Sequence, residues 1–171
     1  AGLTAVSCYF FTKEATNKPG AGLLAAFFIS VVPSYISRSV AGSYDNEAVA
    51  IFALVNTFFL WIKACNSGSI LWSVACTLQY FYMVAAWGGY SFIINIIPIF
   101  VIAVMFANRF TFKIYIAYSV FYVLGTMLAM TIPFVTFNAI KSSEHLASHV
   151  VFFAMNAFVV VSYMQKNLPE Q

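Results

Sequence analysis

The sequence predicts an all-α, polytopic membrane fold with about six transmembrane helices and the end of a truncated one. Two observations carry that reading. The 171 residues are 63% hydrophobic and only 8% charged, against about half apolar and a quarter charged in soluble domains. The apolar runs are also continuous, as in membrane helices, and do not alternate as the strands of an outer-membrane barrel do.

The first residue is Ala, and no basic region precedes a short apolar stretch with a small-residue cleavage site, so no signal peptide is read. Ala1 to Phe11 reads as the last half of a helix, and the chain as a fragment of a longer polytopic protein. Thr12-Lys13-Glu14 to Pro19-Gly20 is the first polar break. A short span over Ala21–Ile36 follows, ending near Pro33, with an irregular segment beyond it. Spans are then expected over Ala48–Ile62, Ile70–Ala86, Ser91–Ala107, Ile114–Pro133 and Leu146–Met164. Their separators are polar or breaking: Asn66 to Ser69, the Trp87-Gly88-Gly89-Tyr90 turn, the basic Asn108–Lys113 loop, and Thr136–His145. Pro98 falls inside the Ser91–Ala107 span, where neighbours must satisfy the freed carbonyl. Gln165–Gln171 is a polar tail. No internal repeat or low-complexity linker interrupts the chain, so residues 1–171 read as one transmembrane domain with no soluble domain. Cys8, Cys65 and Cys76 lack metal-ligand spacing and read as small buried hydrophobes.

Alternating loops sort the eight basic residues six to two. Lys13, Lys18, Lys63, Arg109, Lys113 and Lys166 fall on one side, Arg38 and Lys141 on the other. The positive-inside rule puts the six in the cytosol. The polar stretch Ser37–Glu47 then faces the lumen or cell exterior.

That stretch holds Asp45 and Glu47, two of only five acidic residues, beside Arg38. Asp45 is placed to N-cap the next span, with Glu47 in its first turn. The same two carboxylates are hard oxygen donors that can reach one Mg²⁺ or Mn²⁺, with further ligands from elsewhere. Gly42 and Ser43 allow close approach of backbone or substrate. Arg38 contacts headgroups, or positions the carboxylates, or meets a phosphate. A second cluster, Ser142-Ser143-Glu144-His145, falls on the same side. It reads as a capping pattern before the last span, or as an acid/base or metal element. His149 lies one turn beyond His145 on the same face.

The run from Tyr35 through Arg38 and Gly42 to Asp45-Asn46-Glu47 resembles the second acidic motif of the catalytic subunit of eukaryotic oligosaccharyltransferase. Leu60-Trp61-Ile62-Lys63-Ala64, Tyr80–Val84, Trp87–Tyr90, Ile94–Pro98 and Ile132–Val135 match the family in order over nearly the whole chain. Ser34 stands where the family usually has Gly. The resemblance implies an endoplasmic reticulum membrane enzyme that moves an oligosaccharide en bloc from dolichyl pyrophosphate to Asn of Asn-x-Ser/Thr in nascent polypeptides. It implies Mn²⁺ or Mg²⁺ at the lumenal face, with Asp45 a direct ligand, Glu47 a ligand or acceptor-orienting residue, and Arg38 their support. Other oligosaccharyltransferase subunits and the bilayer are the implied partners, and no nucleic acid is expected. The family's first carboxylate, its SVSE-type glutamate motif and its WWDYG acceptor motif lie outside these residues. The catalytic glutamate is not carried onto Glu144. The fragment alone is therefore expected to be inactive. The alternatives are a fragment of an ion-coupled transporter or channel, or a non-catalytic membrane scaffold.

Overall fold

A computed structural model describes residues 1–40, 42 and 45–167, leaving aside the side chains of Lys166 and Asn167. Ala41, Ser43 and Tyr44 of the polar stretch, and residues 168–171 of the tail, lie outside the described residues. The structure is helical, without a strand among the described residues.

Each helix boundary follows from local chemistry. α1 (Gly2–Thr16) closes at Asn17, which takes a left-handed conformation (φ 56°) and donates its N–H to the Lys13 carbonyl. α2 (Pro19–Val31) begins on a proline, whose missing N–H costs nothing in a first turn. Pro33 then forces Val32 into extended geometry and opens α3 (Pro33–Ser39), and the chain turns by 61° between the two helices. α4 (Glu47–Ser67) stops at Gly68 with φ 71°. α5 (Ile70–Ala86) ends at the Trp87–Gly89 turn, and α6 (Tyr90–Phe106) starts directly after it. α6 runs through the buried Pro98, and the Asn95 side chain donates to the Ser91 carbonyl one turn earlier. α7 (Phe112–Met130) leads through turns to α8 (Asn138–Lys141), a 3₁₀ turn (Ser143–His145) and α9 (Leu146–Asn167).

The core sits where α4, α5 and α7 pack together, with α1 against α2 and α4, and α6 against α9. Trp61 is its centre, edge-on to Phe100, Tyr118 and Phe121, while Tyr80 bridges Phe121 and Tyr90. Ala50, Ala53, Ala64 and Ala117 let the helices approach closely. The outside is as apolar as the inside: Leu23, Phe27, Phe92, Phe106 and Phe153 are all more than 60% exposed. Such a surface needs lipid around it.

All six expected spans are helical. Three segments are long and apolar enough to cross a bilayer (46–67, 112–130 and 143–165), and a fourth is reached if the bent α2–α3 pair is one span. α5 and α6 are apolar but 17 residues long, about 25 Å each and at the short limit for a crossing. The Ala21–Ile36 span is divided at Pro33, and the segment beyond, expected to be irregular, is the helix α3, about two turns long.

α4 separates two polar ends by about 30 Å. At its C-terminal end Lys63 Nζ meets Glu14 Oε2 at 2.9 Å, Asn66 Nδ2 donates to Glu14 Oε1 at 3.1 Å, and Lys113 Nζ donates to the Asn66 carbonyl at 3.0 Å. Arg38, Asp45 and Glu47 lie at the other end. The two ends of α4 thus carry Glu14, Lys63 and Lys113 at one and Arg38, Asp45 and Glu47 at the other.

Candidate functional site

The acidic element is built by α3, Asp45 and the first turn of α4. α3 is seven residues long, too short to be stable by itself. Side chains fix it instead. Tyr35 is buried and shares a 2.6 Å hydrogen bond with the Thr4 hydroxyl of α1. Ser39 Oγ donates to the Tyr35 carbonyl, and Ser37 Oγ to that of Ser34. Arg38, in the last turn, projects to the start of α4. Gly42 has φ 108°, which a residue with a Cβ adopts only under strain.

Arg38 Nη1 lies 2.9 Å from Glu47 Oε2 and 3.8 Å from Asp45 Oδ2, so one guanidinium nitrogen gathers both carboxylates. Glu47 is three-quarters buried and Asp45 about half exposed. The expected N-cap is corrected by one residue. Asn46 is the N-cap, with helical φ −57° and no side-chain cap bond. Asp45 Oδ1 accepts from the adjacent Asn46 N–H at 2.7 Å. The reason is competition: with Oδ2 held toward Arg38, the carboxylate turns to the nearest amide and leaves the first-turn donors alone. Asp45 is thus hydrogen-bonded at one oxygen and has the other turned toward Arg38 at 3.8 Å.

The second polar cluster at this end does not complete the first. No group of three or more His, Cys, Asp or Glu that could hold a metal exists among the described residues. His145 is buried; its Nδ1 is 2.9 Å from Ser142 Oγ, and its ring lies 5.8 Å from that of Tyr90. His149 Nδ1 is 2.8 Å from the Tyr122 hydroxyl. Both histidines thus tie the start of α9 to α6 and α7, and Ser142, expected as a backbone cap, bonds the His145 ring. Glu144 stays exposed.

As a metal site the acidic element fits in part. Its donors are hard and charged, as Mg²⁺ and Mn²⁺ require, yet two carboxylates fill only a fraction of six-coordinate geometry. Beside it lies a cavity of about 560 Å³ lined by Leu3, Thr4, Ala48, Val49, Phe52 and Tyr82. The Thr4–Tyr35 bond is the feature that sequence reasoning missed. Tyr35 was visible as part of the motif, but no periodicity pairs it with a threonine 31 residues earlier.

A family model described as "Oligosaccharyl transferase STT3, N-terminal" matches residues 1–169. The chain belongs to this family. It is 48% identical over 170 residues to the dolichyl-diphosphooligosaccharide–protein glycosyltransferase subunit stt-3 of Caenorhabditis elegans, covering 99% of this chain and 22% of that protein. It is 50% identical over 165 residues to the STT3B subunit of Arabidopsis thaliana, covering 96% and 22%. With the STT3A subunit of Oryza sativa subsp. japonica the identity is 53% over 157 residues, covering 92% and 20%. The chain therefore spans about a fifth of the length of these relatives. The resemblance read from Tyr35–Glu47 and the motifs after it is borne out at the level of the STT3 family. Arg38, Asp45 and Glu47 all lie inside the matched region.

Proposed function

We propose that this chain is the part of a dolichyl-diphosphooligosaccharide–protein glycosyltransferase that carries one acidic element of a divided, metal-assisted active site. The observation that carries the proposal is the single guanidinium nitrogen of Arg38 holding Glu47 and Asp45 together, within a chain of the STT3 family. The reaction is transfer of an oligosaccharide from dolichyl pyrophosphate to the side-chain amide of Asn in Asn-x-Ser/Thr. The acidic end faces the lumen of the endoplasmic reticulum, a reading supported by the six-to-two split of basic residues. Other subunits of the oligosaccharyltransferase and the bilayer are its partners.

Asp45 is the metal ligand, held by the Asn46 amide so that its orientation is set before anything binds. Glu47, the more buried carboxylate, is a second ligand or orients the acceptor amide. Arg38 keeps the two carboxylates turned to one side and offsets their mutual repulsion. When bound, Mn²⁺ or Mg²⁺ supplies electrostatic stabilisation of the charge that develops as the pyrophosphate leaves. The remaining ligands and the acceptor-binding groups come from parts of the protein beyond these residues.

A transporter or channel reading is disfavoured by the position of the acids. Glu14, Asp45, Glu47 and Glu144 all lie at helix ends or in turns, whereas acids on an ion path sit within the spans. The test is metal dependence. Chelating divalent cations from the full-length protein stops glycopeptide formation, and Mn²⁺ or Mg²⁺ restores it. Transfer that survives chelation overturns the metal assignment. Transfer by residues 1–171 alone overturns the division of the site.

A further inference from the structure

α3 is a short rod between two joints. At one end Pro33 lacks an N–H, Val32 is extended, and the chain turns by 61° from α2. At the other end Gly42 takes φ 108° with no atom within 4 Å of where a Cβ would stand. Within the rod Tyr35 and Arg38 are three residues apart and so share a face. Tyr35 is 6% exposed and bonded to Thr4, itself 1% exposed, at 2.6 Å. Arg38 reaches Glu47 at 2.9 Å. α1, which carries Thr4, also packs along α4, which carries Glu47. The three helices therefore close a loop of contacts: α1 to α3 by a buried hydroxyl pair, α3 to α4 by an ion pair, and α4 to α1 by packing.

We infer that Tyr35, through its bond to Thr4, is a positioning residue that sets the attitude of α3 and with it the placement of Arg38 over Asp45 and Glu47. The inference rests on the metal reading above. Tyr35 touches neither carboxylate, and its ring would still fill its niche without the hydroxyl. A mispositioned Arg38 relaxes the alignment of the carboxylates, so the loss appears in cation affinity before it appears in folding.

The test uses the purified full-length protein and Mn²⁺, with free Mn²⁺ followed by electron paramagnetic resonance and glycopeptide formation measured alongside. Tyr35→Phe raises the Mn²⁺ dissociation constant about tenfold and shifts the Mn²⁺ concentration for half-maximal transfer by the same factor. The acceptor-peptide KM at saturating Mn²⁺ stays within twofold. Thr4→Val gives the same shift, Thr4→Ser restores wild-type binding, and the double variant Tyr35→Phe with Thr4→Val is no worse than either single one. Multiplying effects in the double variant, or unchanged Mn²⁺ affinity in both single variants, overturns the tether. An Asp45→Ala control separates the two levels. If it abolishes Mn²⁺ binding while Tyr35→Phe does nothing, only the tether fails. If it leaves Mn²⁺ binding intact, the metal reading fails with it.

Discussion

Arg38 of α3 and Glu47 of α4 meet at 2.9 Å, and the same guanidinium nitrogen lies 3.8 Å from Asp45. The pair is partly exposed, so its contribution to stability is small, about 0–1 kcal/mol. Its importance is directional: two carboxylates that would repel one another are held in one neighbourhood.

Replacing Arg38 therefore separates stability from function. Arg38→Ala lowers transfer by the full-length protein about 10- to 100-fold, or roughly 1.4–2.7 kcal/mol in barrier, while the amount of protein in the membrane stays near wild type. Arg38→Lys recovers only part of the loss, because a compact, strongly hydrated ammonium on a flexible stem is held less firmly in place than a guanidinium. Wild-type turnover in Arg38→Ala, at matched membrane levels, would remove Arg38 from the site.

The turn between α5 and α6 depends on an absent side chain. A Cβ on Gly89 would collide with the edge of the Trp87 indole ring. Gly89→Val displaces that ring and destabilises the membrane domain by about 1–3 kcal/mol. Gly88, whose Cβ would meet nothing within 4 Å, accepts alanine with little change. Thermal denaturation in detergent, read for both variants, checks the contrast.

The opposite end of the bundle has a pH signature. The hydrogen bond from Lys63, then that from Asn66, holds the Glu14 carboxyl below the usual carboxylate range. A depressed folded pKa stabilises the fold above the unfolded value of about 4.3 and loses that stabilisation as pH falls through the folded pKa. Glu14→Gln therefore lowers stability to thermal denaturation slightly at pH 7, by no more than about 1 kcal/mol for a partly exposed pair. The gap between wild type and variant closes as pH drops below about 4. A gap that does not narrow at all as pH falls from 7 into the acid range would show that the carboxylate charge is not the cause.

Close packing of α1 on α2 gives a fourth outcome. A Cβ at Gly22 would lie 2.8 Å from the Tyr9 carbonyl oxygen and 2.9 Å from its ring. Backbone cannot yield as a flexible side chain can, so Gly22→Leu forces the two helices apart and costs about 1–3 kcal/mol or more. Protease protection of the α1–α2 turn in membranes reads the separation directly.

How far the sequence foretold these features depends on the range of the interaction. Helices announced themselves through apolar runs bounded by Pro19, Pro33, Gly68 and the Trp87–Tyr90 turn, because each boundary is a local steric fact. Asp45 was misplaced by one residue as a cap, because the choice between backbone donors was decided by Arg38, seven positions away on another helix. The bond between Thr4 and Tyr35 was invisible, since two hydroxyls 31 residues apart carry no mutual signal until the helices are packed. His145 and His149 looked like one pair on a helix face. In the fold each is claimed by a different neighbour, Ser142 and Tyr122.

The most direct measurement is glycopeptide formation by the full-length protein with Asp45→Ala, in membranes holding wild-type amounts of it, supplied with a dolichyl-pyrophosphate oligosaccharide and an Asn-x-Ser/Thr peptide. Loss of a fixed electrostatic group aimed at the reacting centre predicts a fall of about 100-fold or more. Turnover within a few-fold of wild type would contradict the assignment of this acidic element to the site of transfer.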